Sequence, residues 1–250
     1  MDGISGRHAI VTGGGTGIGL AVAAALTRAG ARVTVVGRRE APLRAAVASG
    51  QANDFEIVDV TREGAFPTAL ARCGAPAILV NAAGAAESAP FLKTDEAIWE
   101  RMLRVNLLGA ASATRAALPA MLEAGWGRVV NIASTAALRG YPYVTAYTAA
   151  KHGLLGFTRA LALEVATKGV TVNAVCPGFT ETDIVAESVA RITAKTSRSE
   201  AEARAELARH NPQGRLVQPE EVAATVLFLC GNGASAINGR AIAVDGGEVP

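Results

Sequence analysis

The sequence has few aromatic residues, few charges and no strong excess of either sign. Aromatic side chains make up 4% of the 250 residues and charged side chains 18%, with a formal net charge of +2. Basic residues are scattered among acidic ones, so no nucleic-acid partner is expected. Half of the residues are hydrophobic. Most of these are Ala, Val, Leu and Ile, which is typical of parallel strands covered by helices.

Cysteines are scarce, and long apolar runs are missing. Cys73, Cys176 and Cys230 are far apart and lack the spacing of a metal site. We therefore predict buried, reduced thiols in a cytoplasmic protein without a metal. No charged and then apolar leader is seen, and basic residues interrupt each apolar run well before the ~18 residues of a membrane span. No membrane segment is expected.

Strand and helix patterns alternate along the whole chain. Short apolar segments predict strands at 8–12, 32–36, 55–58, 76–80, 127–133, 170–176 and 241–244. Helices are predicted between them at 20–29, 40–49, 62–72, 93–123, 145–168 and 219–230. This alternation predicts an α/β domain over 1–250, with a parallel sheet and helices on both faces. Ligands of such sheets bind beyond the carboxyl ends of the strands.

A glycine-rich turn joins the first predicted strand to the first helix. It runs Thr12-Gly13-Gly14-Gly15-Thr16-Gly17-Ile18-Gly19. Glycine lets the backbone approach a pyrophosphate, and a helix N-terminus favours its negative charge. The spacing is Gly-x-x-x-Gly-x-Gly rather than G-x-G-x-x-G. The strand–turn–helix setting nevertheless favours dinucleotide binding over a merely flexible turn.

Two arginines follow the second predicted strand, where a carboxylate would indicate NAD(H). Arg38 and Arg39 occupy this position, and Glu40 comes later, at the start of a helix. A carboxylate there would bind the ribose 2′-hydroxyl, whereas guanidinium groups suit a 2′-phosphate. We predict NADP(H) as the favoured cofactor and NAD(H) as the alternative. Solvated loop arginines are the competing explanation.

Tyr147 and Lys151 are four residues apart in a predicted helix, and Ser134 precedes Tyr147 by thirteen residues. Residues at this spacing share one face of a helix. A nearby cation favours the phenolate and lowers the pKa of a tyrosine from its ordinary value near ~10. Such a tyrosine can exchange a proton with a substrate oxygen. Taken alone, the pair more often means a packed aromatic ring and a solvated lysine.

Taken together, these motifs resemble the short-chain dehydrogenase/reductase family over essentially the whole chain. Besides the glycine loop, the matching residues are Asp59-Val60, Asn81-Ala82-Ala83-Gly84, Pro177-Gly178 with Thr180 and Thr182, and the tetrad Asn106, Ser134, Tyr147 and Lys151. The resemblance implies a Rossmann-type doubly wound parallel sheet of about seven strands, assembled as a homotetramer or homodimer. It also implies hydride transfer between a nicotinamide and a carbonyl or alcohol carbon.

The resemblance further implies a role for each member of the tetrad. Tyr147 would be the general acid in reduction and the base in oxidation. Lys151 would lower the pKa of Tyr147 and hold the ribose hydroxyls. Ser134 would hydrogen-bond the substrate oxygen, and Asn106 would interrupt its helix and hold a water that links Lys151 to solvent.

Other matched residues are implied to hold the nucleotide. Asp59 and Val60 would meet the adenine, residues 81–84 would steady the sheet beside the cofactor, and the turn after 176 would meet the nicotinamide end. The predicted cofactor-binding residues are Gly13, Gly15, Thr16, Gly17, Ile18, Gly19, Arg38, Arg39, Asp59, Val60, Asn81, Ala82, Ala83, Gly84, Tyr147, Lys151, Pro177, Gly178, Thr180 and Thr182.

The segment 179–213 is predicted to form two helices that act as a mobile lid, with a structural helical hairpin as the alternative. The loop 136–144, together with Ala85, Ala86 and Phe179, suggests a mostly apolar pocket. Arg139, Arg191 or Lys195 on its rim would meet a phosphate or carboxylate.

The layout is similar to that of β-ketoacyl thioester reductases, aromatic polyketide ketoreductases and 3-hydroxyacyl-CoA dehydrogenases. Ala136, Val144 and Ala86 stand where 3-hydroxybutyrate dehydrogenases would have His, Lys and Gln, which disfavours a small hydroxy acid. The leading substrate is a 3-oxoacyl thioester or a cyclic or aromatic-bearing ketone. The alternatives are a dehydrogenase of hydrophobic secondary alcohols and an NADP(H)-sensing binding protein. The complete tetrad disfavours the sensor.

The predicted role of Arg38 can be tested by substitution. Arg38→Ala should weaken the binding of NADPH much more than that of NADH, because only NADPH carries the 2′-phosphate. The dissociation constants of both nucleotides measure this difference. Equal losses for the two would contradict the assignment of Arg38 to the phosphate.

Overall fold

The structure is a computed structural model that describes residues 3–249, except for the side chain of Lys195. Seven parallel strands form one sheet in the order β3-β2-β1-β4-β5-β6-β7. They are β1 His8–Thr12, β2 Arg32–Gly37, β3 Asp54–Ile57, β4 Ile78–Asn81, β5 Gly127–Ile132, β6 Val170–Pro177 and β7 Ala241–Val244. The predicted Rossmann-type doubly wound sheet is confirmed.

Helices connect these strands along the described part of the chain. They are α1 Gly17–Arg28, α2 Glu40–Ala48, α3 Ala65–Cys73, α4 Glu96–Leu103, α5 Gly109–Glu123, α6 Thr145–Glu164, α7 Asp183–Lys195, α8 Glu200–Ala208 and α9 Pro219–Cys230. The chain order of the strands reverses between β1 and β4. A crevice forms at such a switch point, at the carboxyl edge of the sheet.

The two faces of the sheet carry separate hydrophobic cores. Side chains alternate along a strand, so Val11 packs on one face with Leu26 and Leu229 of α1 and α9. Ile10 packs on the other face, with helices α3, α5 and α6 covering it through residues such as Ala113. Both faces are therefore closed by helices. Only the sheet edges remain for binding.

The helix predicted at 93–123 is interrupted. A short 3₁₀ turn covers Phe91–Lys93, α4 begins at Glu96, and a π-helical turn at Arg104–Leu108 separates α4 from α5. Asn106 lies in this π turn and is 1% exposed. The side-chain amide of Asn106 donates to the carbonyl oxygens of Ala85 and Met102. These bonds account for the wider π turn within the helix.

The three cysteines are free and buried. This agrees with the thiols predicted from their spacing. Among residues 3–249, no helix is both long and apolar enough to cross a membrane.

A buried histidine should make stability depend on pH. His8 lies at the start of β1, with its ring nitrogens 3.0 Å from Thr34 Oγ1 and 3.2 Å from the carbonyl oxygen of Ala75. The neutral ring satisfies both contacts. Burial lowers the pKa of His8 below its ordinary 6.5, although the Ala75 carbonyl opposes this. The unfolded chain therefore binds the proton more readily, and stability falls as pH drops below about 6.5.

We expect His8→Gln to flatten the dependence of the unfolding free energy on pH between about 7 and 5, where this histidine titrates. Urea unfolding at several pH values measures the slope. The exposed His152 offers a matched control in His152→Gln. An unchanged slope in His8→Gln would mean that His8 is not the group responsible.

Candidate active site

The glycine loop packs tightly against the chain that leaves β4. Gly13 and Gly17 have φ angles of +67° and +53°, in the left-handed region that favours glycine. A Cβ built on Gly13 would lie 2.8 Å from the amide nitrogen of Ala83, and one on Gly19 would lie 2.2 Å from the carbonyl oxygen of Gly13. Side chains at these positions would push the loop, the helix and the neighbouring strand apart.

The middle of the loop faces the start of α2. A Cβ built on Gly15 would lie 3.3 Å from Leu43 Cδ2. Thr16 precedes α1 in an extended conformation, and the partly buried Ile18 packs on the core beneath the helix. The amides at the start of α1 are thereby presented at the carboxyl edge of the sheet, where an anion would be stabilised.

Thr12 was not among the predicted site residues, but it joins the end of β1 to the chain that leaves β4. Its hydroxyl accepts hydrogen bonds from the amides of Ala82 and Ala83, each at 3.1 Å. Thr12 is 2% exposed at the end of β1. The sequence signal for this role is a polar side chain at the end of an apolar strand. A polar group that is buried there needs hydrogen-bond partners.

Asn81 joins four elements through buried side-chain hydrogen bonds. Its amide donates to Thr114 Oγ1 of α5 at 3.0 Å and to Asn131 Oδ1 of β5 at 2.8 Å. Asn131 in turn donates to Thr158 Oγ1 of α6 at 2.8 Å. This chain of contacts supports the predicted steadying role of Asn81. Its partners could not be inferred from the motif.

Asp59, Val60 and Arg38 lie together at the carboxyl side of β2 and β3. Asp59 accepts hydrogen bonds from the amide and the hydroxyl of Thr61 at 3.0 and 2.7 Å. Burial raises the pKa of this carboxyl, but the Thr61 bonds and the charge of Arg38 outweigh it and leave the pKa lowered. Arg38 and Arg39 are exposed, and Val60 is partly buried beside them. Both guanidinium groups are accessible to a phosphate.

The turn after β6 meets the glycine loop from the other side. Thr180 Oγ1 donates to the carbonyl oxygen of Gly178 at 2.9 Å, and Thr182 Oγ1 donates to that of Thr180 at 3.2 Å. A Cβ built on Gly17 would lie 3.1 Å from Thr182 Cγ2. The two predicted nucleotide-binding segments, the glycine loop and the turn at Pro177, therefore face each other.

Lys151 of α6, Asn106 and Gly84 lie close together. Lys151 is 5% exposed and donates to the carbonyl oxygen of Ile132 at 2.9 Å. Burial lowers the pKa of this ammonium to about 8. A Cβ built on Gly84 would lie 3.0 Å from Asn106 Oδ1 and 3.7 Å from Lys151 Nζ. Three of the predicted site residues are thus brought together from separate parts of the chain.

Asn106 is held by the backbone. Its amide nitrogen donates to the carbonyl oxygens of Ala85 and Met102 at 2.9 and 3.1 Å, and its Oδ1 accepts from the Ala85 amide at 3.3 Å. It is therefore not a polar residue on a helix surface. The predicted interruption of its helix is present, and Asn106 lies with Lys151 beside Gly84.

The phenol of Tyr147 is kept protonated. Burial raises its pKa above the ordinary 10, while the Ser134 hydroxyl opposes this and the Cys176 sulfur adds to it. This direction is opposite to the lowering expected from Lys151. Lys151 Nζ lies 5.7 Å from the centre of the Tyr147 ring and donates to the backbone of Ile132. A protonated phenol beside Ser134 is suited to donating a proton to a substrate oxygen.

A cavity of about 600 Å³ opens between the chain after β4, the end of α4 with the π turn that follows it, and Arg191 of α7. It differs from the predicted mostly apolar pocket, since Ala85 and Ala86 line it together with guanidinium groups, whereas the loop 136–144 and Phe179 do not. The arginines that line it are Arg38, Arg101, Arg104 and Arg191. Two of them pair with Glu87 and Glu100, and Arg191 donates to Ser88 Oγ at 2.9 Å. The side chain of Lys195 lies outside the described residues.

Fold and site together define a dinucleotide-dependent oxidoreductase built on a Rossmann-type sheet. A family model described as enoyl-(acyl carrier protein) reductase matches residues 13–248. The chain belongs to the short-chain dehydrogenase/reductase family.

Similar proteins include ketone reductases and an alcohol dehydrogenase. A solved structure of an actinorhodin polyketide ketoreductase variant with NADPH is 38% identical, with a TM-score of 0.91 and 99% of each chain covered. A 3-oxoacyl-[acyl-carrier-protein] reductase of Aquifex aeolicus is 37% identical, with 98% of each chain covered. A D-beta-hydroxybutyrate dehydrogenase of Cupriavidus necator is 35% identical, covering 98% of this chain and 99% of the relative.

Removing one oxygen from Tyr147 should stop turnover. We expect Tyr147→Phe to lower kcat by roughly 10²-fold or more, because the proton donor is lost while the ring stays. The dissociation constant of NADPH should stay nearly unchanged. Tyr143→Phe, on the exposed loop tyrosine, is the matched control and should keep most of the rate. A Tyr147→Phe protein that retains more than a few per cent of the rate would remove Tyr147 from this role.

Proposed function

We propose that the protein is an NADP(H)-dependent reductase that interconverts a ketone and a secondary alcohol. The observation that carries this proposal is the position of Tyr147. The Ser134 hydroxyl is close enough to affect the pKa of its phenol, and the buried ammonium of Lys151 lies 5.7 Å from the centre of its ring. A binding protein that only sensed the nucleotide would not need this arrangement.

In the proposed reaction Ser134 holds the substrate oxygen and stabilises the charge that develops on it. NADPH, when bound, supplies the hydride to the carbonyl carbon. Tyr147 donates its proton to the oxygen, which gives the alcohol and leaves a phenolate. Lys151, with its pKa near 8, stabilises that phenolate, and Asn106 beside it would hold a water through which the proton is replaced. In oxidation Tyr147 is the base.

The residues at the adenosine end fit the nucleotide. Close packing leaves no room for side chains at Gly13 and Gly19, so only glycine allows the tight turn that brings the start of α1 to the sheet edge. Arg38 and Arg39 are exposed where a carboxylate would otherwise bind the 2′-hydroxyl. We therefore favour NADP(H), with NAD(H) as the alternative. The structure of the related ketoreductase was solved with NADPH, which supports the same choice.

The proposed substrate is a 3-oxoacyl thioester or a cyclic or aromatic-bearing ketone. Arg191, which lines the roughly 600 Å³ cavity beside Ala85 and Ala86, would meet the anionic part of a thioester carrier. A small hydroxy acid remains disfavoured despite the hydroxybutyrate dehydrogenase relative, since Ala136, Val144 and Ala86 offer no groups for a free carboxylate. Dehydrogenation of hydrophobic secondary alcohols is the second candidate.

We further propose a cytoplasmic homotetramer, or a homodimer, in which one domain spans 1–250. Exposed leucines on α5 and α6 support an interface there, since Leu122 is 38% and Leu163 81% exposed. Within 179–213, α7 and α8 pack together through Val185, Val189 and Ala203. We propose that this hairpin is the mobile lid over the substrate.

A substrate panel tests the function. With NADPH we expect turnover of a 3-oxoacyl-CoA or of an aryl ketone to be much faster than turnover of the free 3-oxo acid, because Ala136, Val144 and Ala86 stand where hydroxybutyrate dehydrogenases would have His, Lys and Gln. Loss of NADPH absorbance measures the rates, and NADH is run in parallel. An enoyl thioester serves as the comparison for double-bond reduction. Tight NADPH binding without turnover of any ketone would favour the sensor.

A further inference from the structure

The tail after β7 places a buried carboxylate beside the turn at Gly178. Glu248 is 8% exposed. Its Oε2 would lie 3.1 Å from a Cβ built on Gly178, and among residues 3–249 this oxygen has no hydrogen-bond partner. An unsatisfied buried carboxylate oxygen is costly. The position therefore suits a hydrogen-bond donor that comes from a ligand.

Asp245 shapes the tail so that Glu248 turns inward. Its Oδ1 accepts from the amide of Gly247 at 3.0 Å, and its Oδ2 accepts from the amide of Val249 at 2.9 Å. Gly246 and Gly247 have φ angles of +68° and +95°, which side chains would disfavour. Both carboxylate oxygens of Asp245 thus accept a hydrogen bond. Glu248, which lies between Gly247 and Val249, has the oxygen without a partner.

Tyr141 connects the Glu248 carboxylate to Thr135, the residue after Ser134. The Tyr141 hydroxyl hydrogen-bonds Glu248 Oε1 and lies 2.8 Å from Thr135 Oγ1. A phenol has one proton, so Thr135 donates to Tyr141 and Tyr141 donates to the carboxylate. Thr135 directly follows Ser134 in the chain. Glu248 is therefore linked through Tyr141 to the residue next to Ser134, and its Oε2 is the oxygen without a partner among residues 3–249.

Aromatic rings border the same position. The rings of Phe179 and His210 stack with their centres 5.4 Å apart, at an angle of 28°. Tyr141 meets both edge-on, at 6.4 and 6.0 Å. These residues come from the loop before α6, the turn after β6 and the chain after α8. Together they form a wall suited to a flat ring.

We propose that Glu248 is a specificity-determining residue whose Oε2 accepts a hydrogen bond from a hydroxyl group on a cyclic or aromatic ketone substrate. The inference rests on the proposed ketone reduction and narrows its substrate class. A hydrogen bond to a carboxylate is stronger than one between neutral groups. A substrate without the hydroxyl leaves a buried acceptor unpaired, and such sites discriminate strongly against the incomplete analogue.

The test uses 1-tetralone and its monohydroxy derivatives as matched ketones, with NADPH and the full-length enzyme. We expect kcat/KM for at least one hydroxy derivative to exceed that for the parent ketone by about tenfold or more. Glu248→Gln keeps an oxygen for Tyr141 but places an amide nitrogen, a donor, where Oε2 lies. The preference should therefore fall below threefold or reverse. Tyr141→Phe removes the donor that orients the carboxylate and should therefore also reduce the preference.

Glu164→Gln, at the exposed end of α6 on the opposite edge of the sheet, is the matched control and should keep the wild-type ratio. Thermal unfolding confirms that each variant is folded. Reduction of 1-tetralone without any preference for a hydroxy derivative, or a preference that survives in Glu248→Gln, would overturn the inference while leaving the proposed function intact. Weaker NADPH binding in Glu248→Gln with an unchanged ratio would assign the oxygen to the nicotinamide carboxamide and also overturn it. If no ketone is reduced, both proposals fail.

Discussion

The exit of β1 and the exit of β4 are bound to each other at the point where the strand order of the sheet reverses. The hydroxyl of Thr12 accepts hydrogen bonds from the backbone amides of Ala82 and Ala83, each at 3.1 Å. Gly13 lies so close to the same two residues that a Cβ would not fit there. The crevice that opens here is the place where parallel sheets bind ligands. Everything proposed for the site depends on this contact, because it sets the distance between the glycine loop and the tetrad.

Burial, more than the proximity of charges, sets the protonation of the tetrad. It raises the pKa of Tyr147 and lowers that of Lys151 to about 8. Both shifts follow from one cause, since a poorly solvated environment disfavours whichever form is charged. The consequence is a phenol that holds its proton near neutral pH, together with an ammonium close to losing its own. This combination is suited to reduction, in which the phenol must give up a proton.

The local pattern of apolar residues was sufficient to predict where the strands lie. Short apolar runs bounded by glycine, proline or polar residues placed each strand to within about two residues, because the central strands are buried on both faces and are rich in apolar residues. The local pattern predicts a single helix at 93–123, and the interruption at Asn106, which the structure shows, was expected only from the family resemblance. The bonds that cause the break reach Ala85, 21 residues away. A periodicity of 3.6 residues carries no information on such a partner.

The sequence by itself determined the order of the elements, the glycine loop and the residue types of the tetrad, since each of these depends on neighbours a few positions away. Only the tertiary structure decided the sign of the Tyr147 pKa shift, the arginine wall of the cavity and the meeting of Tyr141 with Glu248. Those features arise between residues as much as 107 positions apart. Their energies depend on burial and on packing across the sheet edge, which no local spacing encodes.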